Sequence, residues 1–434
     1  MPPIILGVAG NPVLHSRSPE LFRHALDHYK IDGLYSRLLL RRIDELRPIM
    51  DGIGMTGLNI TTPFKESVIP ILDELDPMAD RIGSVNLVLR RGDYWKGYNT
   101  DYWGALNDVR PYLEPNRCIK ALVMGAGPAG RAAAAALADH GIEVWLANRN
   151  YAKALSAAPK IGCRAATLSD LPRITPQADI LISALSPDVR LIQPEWIKSG
   201  SILLDANYRQ SGFQTIPPDP RYRIIPGQEW LIHQAVPSFE HTTGHSVTAD
   251  LMRRGLDHPS ASSRIRRIAL IGFMGCGKTT VARLTAERLH YDYIDLDSII
   301  EEQAGQPIPQ IFETYGEPEF RRLESAALSD VLRHDRIVIA TGGGIVLDPS
   351  NRTLLSRHTM STWLWAPLET CLDRISHYPD RPLLMNRSPE QIRHLYHSRI
   401  EAYARTADLI ISGIPEADPT AGDLHHELYL AIHD

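Results

Sequence analysis

Residues Gly272-Phe273-Met274-Gly275-Cys276-Gly277-Lys278-Thr279 carry the spacing G-x-x-x-x-G-K-S/T of a phosphate-cradling loop. The chemistry of such a loop is anion binding. Backbone N–H groups of the turn made by Gly272, Gly275 and Gly277 converge on phosphate oxygens, Lys278 adds a point charge, and the Thr279 hydroxyl is offered to Mg2+. A glycine-rich turn ahead of any helix is the plainer reading, and the flanks decide against it. Arg267 to Ile271 reads as a short buried strand, and the run from Lys278 to His290 spaces Val281, Leu284 and Leu289 as a helix does. A nucleoside triphosphate is therefore the expected ligand of the C-terminal part.

A second phosphate-type turn lies earlier. Gly125, Gly127 and Gly130 form G-x-G-x-x-G between the apolar run KALVM and an alanine-rich helical run closed by Gly141, with another strand-like run after it. That is the setting of a dinucleotide fingerprint. Where an acidic side chain would hold the ribose 2′-hydroxyl of NAD, the chain has Asn148-Arg149 with Lys153 nearby, which favours the 2′-phosphate of NADP.

Other polar residues are ambiguous taken singly. Ser16 and Ser18 precede Pro19 at the start of a helical run, where two hydroxyls either hold an anion such as a carboxylate or serve as ordinary N-caps. Thr62-Pro63 reads as a helix cap and first helical position. That puts Lys65 in the first turn, against the helix dipole, as a functional cation or as a surface lysine offset by Glu66. Asp101 stands at the head of the run YWGALNDV, where it complements a helix N-terminus.

The elements that must position these residues exceed one core. At 434 residues the chain calls for two or three domains. Hydrophobic content of 44% with 22% charged residues is that of a soluble globular protein. A net charge of -5 gives no reason to expect nucleic acid or an anionic membrane as partner, and no apolar run reaches membrane-spanning length. Cys118, Cys163, Cys276 and Cys371 lie far apart, which indicates neither a disulfide framework nor a zinc site and suits a cytoplasmic protein. Residues 253–265 include His-Pro-Ser-Ala-Ser-Ser and read as a linker, with Arg264, Arg266 and Arg267 as its solvated end.

Up to about residue 250 the chain resembles shikimate dehydrogenase. The motifs are N-P-x-x-H-S-x-S-P from Asn11, G-x-N-x-T-x-P-x-K from Gly57, G-x-V-N from Gly83, G-x-N-T-D-x-x-G from Gly97, the glycine turn, Asn148-Arg149, Asp205-Ala206-Asn207-Tyr208 and Gln234-Ala235. The resemblance implies that Ser16, Ser18 and Tyr208 hold a substrate carboxylate, that Thr61, Asn86, Asp101 and Gln234 bind ring hydroxyls, and that Lys65 and Asp101 are the catalytic pair. Departures from the family pattern are Ser84, Leu87 and Trp230, and the absence of a proline after Tyr208 at the usual spacing.

Residues 266 to 412 resemble shikimate kinase, through the phosphate loop, Asp295 and Asp297, Phe320-Arg321 with Glu324, Gly342-Gly343-Gly344, Arg381-Pro382-Leu383-Leu384, and Arg399 with Tyr403. That resemblance implies Asp297 as the group taking the hydroxyl proton and Asp295 with Thr279 at Mg2+. It also implies Arg321 and Arg399 on the substrate carboxylate, Gly343 and Gly344 against the ring, and Arg381 over ATP. The implied architecture is α/β throughout: an α/β substrate domain (1–105, completed by 233–252), a Rossmann NADP domain (106–232), a linker (253–265) and a P-loop kinase with a parallel sheet (266–434). The implied chemistry is NADPH-dependent reduction of 3-dehydroshikimate to shikimate, then its phosphorylation by ATP. Two other readings of the first part stand beside it, a ligand-sensing module without turnover and a quinate dehydrogenase using NAD.

Overall fold

The computed structural model describes residues 3–113, 118–186, 189–207, 212–213, 216–376, 388–414 and 416–433. Two compact units are found. The first contains Met1–Arg23, Lys30–Thr56 and His258–Asp434, and the second contains His24–Tyr29 and Gly57–Asp257.

In the first unit a parallel sheet runs in the order Asp292–Asp295, Ile337–Ala340, Arg267–Ile271, Met360–Trp365, Leu409–Ser412, Gly33–Leu39, Ile4–Gly10. Arg267–Ile271 is central and buried on both faces, as its unbroken apolar sequence requires. It feeds the glycine loop, which feeds the helix Lys278–Leu289. Strand order reverses around that central strand, so the loop opens at a topological switch point. The sheet continues across the expected domain division. Leu409–Ser412 pairs in parallel with Gly33–Leu39, with Leu409 opposite Arg37, Ile410 opposite Leu38 and Ile411 opposite Leu39.

The second unit holds a six-stranded parallel sheet in the order Tyr222–Ile225, Ser201–Asp205, Ile180–Ser183, Lys120–Met124, Glu143–Ala147, Arg164–Ala166. This is the doubly wound order, with its crevice beside Lys120–Met124. The helix Pro128–Ala138 packs on it through a buried run of alanines. Gly57–Ile60, Leu87–Arg91 and Tyr94–Tyr98 form an antiparallel set with Glu74–Leu75 added in parallel at one edge. The helices Asp101–Val109 and Gly227–Thr243 approach closely at Gly104, where a Cβ would lie 2.7 Å from the Trp230 ring and 3.1 Å from its carbonyl oxygen.

Three expectations are corrected. No helix opens at Thr62-Pro63; residues 62–68 are turns, and the Lys65 carbonyl accepts the Val85 N–H at 2.8 Å instead of an intrahelical bond. Pro70 lies too near for a helix long enough to support itself. Residues 253–265 are not an open linker. Short 3-10 turns occupy Gly255–Asp257 and Ala261–Arg264, and Ala261 and Ile265 are buried. Arg264 is not solvated either, since it donates to Asp408 at 2.8 Å and to the Thr359 carbonyl at 2.9 Å. Both carboxylate and carbonyl come from far along the chain, where composition gives no hint of them. All four cysteines are free, and among the described residues no helix is long and apolar enough to cross a membrane.

Candidate active sites

In the second unit two of the residues read as ambiguous, Lys65 and Asp101, come together. Lys65, from the turn after Gly57–Ile60, places Nζ 2.5 Å from the Asp101 carboxylate at the head of the helix Asp101–Val109. Their side chains are 14% and 3% exposed, so this is a shielded ion pair with one side of the ammonium still reachable. An exposed pair would contribute little; a shielded one fixes the lysine's position. The surface-lysine reading does not fit that burial, whereas Asp101 does stand in the first turn of its helix, as a helix-end acid would, and meets Lys65 there as well. Asn86 links three elements: Nδ2 donates to Thr100 Oγ1 and to Gln234 Oε1, each at 3.0 Å, while Oδ1 accepts the Thr100 N–H at 2.6 Å. Asn59 Nδ2 donates to Ser238 at 2.8 Å, tying the strand to the helix that carries Gln234. Thr61 is half-buried just before Lys65.

The glycine turn of this unit uses its residues differently. A Cβ on Gly125 would sit 2.5 Å from the Ala184 carbonyl oxygen, and one on Gly130 would sit 1.8 Å from the Gly125 carbonyl oxygen. At Gly127 an added Cβ would meet nothing within 4 Å, so the turn is open where a pyrophosphate would approach. Asn148 Oδ1 accepts the Ala126 N–H at 3.1 Å, while Arg149 and Lys153 are exposed beside the turn. These residues fit a phosphorylated dinucleotide.

In the first unit, Ser16 and Ser18 are buried, with their hydroxyls 3.3 Å apart. Fully buried Arg37 donates from two nitrogens to the Ser16 carbonyl, at 3.0 and 2.6 Å, and to Glu20 at 2.8 Å. Burial alone would raise the Glu20 pKa, but the charge and hydrogen bond of Arg37 hold it below the usual value.

The same unit carries the phosphate loop. Lys278 Nζ, buried, donates to the carbonyls of Gly272 and Phe273 at 2.9 and 3.0 Å. Thr279 Oγ1 donates to Asp295 Oδ2 at 3.2 Å, and Asp295 caps the next helix by accepting the Asp297 N–H at 3.1 Å. A hydroxyl and a carboxylate side by side are hard oxygen donors of the kind Mg2+ takes. A pocket beside the loop is lined by Asp297, Phe312, Arg321, Glu324, Gly344 and Arg399 among others. Arg399 and Tyr403 both donate to the Gly343 carbonyl, at 2.9 and 2.6 Å. The Arg321 guanidinium lies against Gly344, where a Cβ would come within 2.4 Å of it. Its partners are Glu324 at 2.7 Å and the more exposed Glu317 at 3.0 Å.

Glu324 was given no role from sequence. Burial pushes its pKa up against the opposing pull of Arg321. An Arg321–Glu324 pair three residues apart was the available signal, but such pairs usually lie on a solvated helix face. The Asp108–His233 pair, at 2.5 Å between the helices Asp101–Val109 and Gly227–Thr243, was likewise missed. Tyr208 and Arg381 lie outside the described residues.

Comparison with known proteins divides the chain by sequence, with two dehydrogenase matches ahead of a kinase match. Residues 8–88 match the shikimate dehydrogenase substrate binding domain, residues 112–206 the shikimate/quinate 5-dehydrogenase family, and residues 274–421 the shikimate kinase family. A shikimate dehydrogenase (NADP(+)) of Natronomonas pharaonis is 33% identical over 261 residues, covering 58% of this chain and 98% of that protein. A shikimate kinase of Caldanaerobacter subterraneus subsp. tengcongensis is 45% identical over 148 residues, covering 34% of this chain and 86% of its own. Among solved structures, shikimate 5-dehydrogenase from Thermus thermophilus in complex with NADP(H) and shikimate aligns with a TM-score of 0.53 and 29% identity, over 58% of this chain and 98% of that one.

Proposed function

Because this chain belongs to the shikimate dehydrogenase family over its first part and to the shikimate kinase family over its last, it is an NADP-dependent oxidoreductase and a phosphotransferase of the shikimate pathway, and we propose how its residues divide that work. The observation that carries the proposal is the shielded Lys65–Asp101 pair, an ammonium held in place against a carboxylate, which suits proton donation to a ketone. Residues 1–105 with 233–252 serve the ring substrate, 106–232 the cofactor and 266–434 the kinase.

NADPH, when bound, supplies the hydride. Lys65 donates a proton to the oxygen of the 3-keto group as negative charge develops there, and Asp101 keeps the ammonium aimed. Ser16, Ser18 and Tyr208 hold the carboxylate, while Thr61, Asn86 and Gln234 read the ring hydroxyls. Asn148, Arg149 and Lys153 favour a 2′-phosphate over a bare ribose.

In the kinase, Asp297 takes the proton of the shikimate 3-hydroxyl as it attacks the γ-phosphate. Lys278 and the loop N–H groups counter the phosphate charge. Arg399 and Arg321 receive the carboxylate, with Glu317 as the partner that Arg321 exchanges for substrate, since Glu324 is buried and fixed. Mg2+ held at Thr279 and Asp295 would neutralise charge between phosphates. The rest is positioning.

The deciding experiment supplies 3-dehydroshikimate, NADPH and ATP and follows NADPH oxidation and shikimate 3-phosphate together, with quinate and NAD in parallel arms. Turnover of 3-dehydroshikimate with NADPH and little with the other pair is expected. Preference for quinate with NAD would select the catabolic reading, and binding without turnover would select a sensor.

A further inference from the structure

The loop from Asn11 to Ser18 is held from two sides within the first unit. On one side Arg37 donates to the Ser16 carbonyl and Asn11 Nδ2 donates to the Leu40 carbonyl at 2.9 Å. The other side is closed by a residue more than four hundred positions away in sequence, on the last helix, Ala417–His433. Glu427, 1% exposed, accepts the Val13 N–H through Oε1 at 2.8 Å and the Leu14 N–H through Oε2 at 2.9 Å. Val13 and Leu14 are themselves fully buried, and the Ser16 N–H returns to the Val13 carbonyl at 2.9 Å. One carboxylate of the kinase part therefore fixes the two peptide groups from which the turn to Ser16 departs. The same helix binds the phosphate-loop helix through Asp418 and Arg288 at 2.7 Å.

We infer that Glu427 is a positioning residue for the dehydrogenase, so that the kinase part completes the other enzyme's carboxylate-binding loop. The inference rests on the reading of Ser16 and Ser18 as carboxylate ligands. Two charge-assisted bonds to buried N–H groups are hard to replace. Without them the donors are unsatisfied, and the loop must reorganise or admit water. Both hydroxyls would then sample positions off the carboxylate. Catalysis at Lys65 and Asp101 uses neither group, so the loss falls on substrate binding.

The test is steady-state kinetics of the full-length chain for both activities, with Glu427→Ala, Glu427→Gln, Asp423→Asn and Ser16→Ala. Glu427→Ala is expected to raise the dehydrogenase KM for shikimate about tenfold with kcat within about twofold, the signature of lost uniform binding. The kinase constants should stay unchanged. Glu427→Gln, which keeps one acceptor oxygen and the shape, should fall between, and it carries the test if the alanine variant does not fold. Asp423→Asn removes a different contact of the same helix, the ion pair with Arg41, and should leave that KM alone. An unchanged KM in both Glu427 variants overturns the inference, as does an equal rise in Asp423→Asn, which would mean general loosening. If Ser16→Ala leaves KM unchanged, the carboxylate reading fails; if it raises KM while the Glu427 variants do not, the role of Glu427 alone fails.

Discussion

At the scale of single residues, charge and reach set the outcomes. Arg149 is exposed beside the open glycine turn, so Arg149→Ala is expected to weaken NADP by about 1.5–3 kcal/mol, as for a charged hydrogen bond, with little change for NAD. Binding titrations with both cofactors measure this, and an equal loss for the two would contradict a contact with the 2′-phosphate. Arg399→Lys should raise the kinase KM for shikimate well above any change for ATP, because an ammonium lacks the planar fork; an unmoved shikimate constant removes Arg399 from the site. Lys278 and the glycine turns were legible in the chain because their chemistry is local, a few residues between one strand and one helix. Lys65 and Asp101 were legible only through resemblance, since nothing in either stretch says that they meet. Glu324 and Glu427 were visible as acids but not as buried ones. Burial of a carboxylate is decided by distant partners.

At the scale of elements, the packing of Asp101–Val109 on Gly227–Thr243 holds Asp101 and Gln234 in place. A Cβ at Gly104 would press on the Trp230 ring and on its carbonyl, and the latter cannot turn away. Gly104→Ala is therefore expected to cost about 1–3 kcal/mol, the range for overpacking, and to lower dehydrogenase turnover with it. Denaturant unfolding of the variant without a shift in midpoint would refute this. The same helix pair encloses Asp108, whose carboxyl is pushed up to about 6 by burial despite the hydrogen bond and charge of His233, with Glu229 and Arg253 also facing it. The native carboxyl thus holds its proton more tightly than the unfolded chain does. Its contribution to stability is full below the ordinary carboxylate range and is lost as pH rises through about 6. Asp108→Asn should flatten the Tm profile between about pH 4 and pH 6; an unchanged slope would assign the titration elsewhere. Element types were mostly readable from apolar period and glycine punctuation. The turn at Thr62-Pro63 was not, because the Thr-Pro signal is local while the hydrogen bond that uses the Lys65 carbonyl comes from Val85.

At the scale of the whole molecule, the first unit does not follow the division that the family resemblances suggest. Parallel pairing of Leu409–Ser412 with Gly33–Leu39 makes the kinase strand the neighbour of a dehydrogenase strand, and Arg41 to Asp423, Arg405 to Asp32 and Arg23 to the Ala407 carbonyl brace the same seam. Pairing between strands so far apart leaves no trace in local pattern, so composition alone made residues 253–265 read as a linker. A chain ending at Asp257 would bare the outer hydrogen-bonding edge of Gly33–Leu39, a hazard for edge-to-edge association. Such a truncation is expected to self-associate, as followed by light scattering at matched concentration. A monodisperse monomer with the full-length dehydrogenase KM would show that the seam contributes nothing.

That seam also has a history in time. A ribosome releases the strand Gly33–Leu39 long before Leu409–Ser412 exists, and at roughly 5–20 residues per second the nascent edge waits on the order of twenty to seventy seconds for its neighbour. During that interval the first enzyme must remain uncommitted along one side. Arg37, in the middle of the strand, puts an inward-pointing charged side chain, met by Glu20 from its own early helix, within a segment otherwise well suited to pairing with the wrong chain. Synthesis order thus makes the second enzyme the last piece of the first, arriving late to close a surface that its own sequence has been keeping clear.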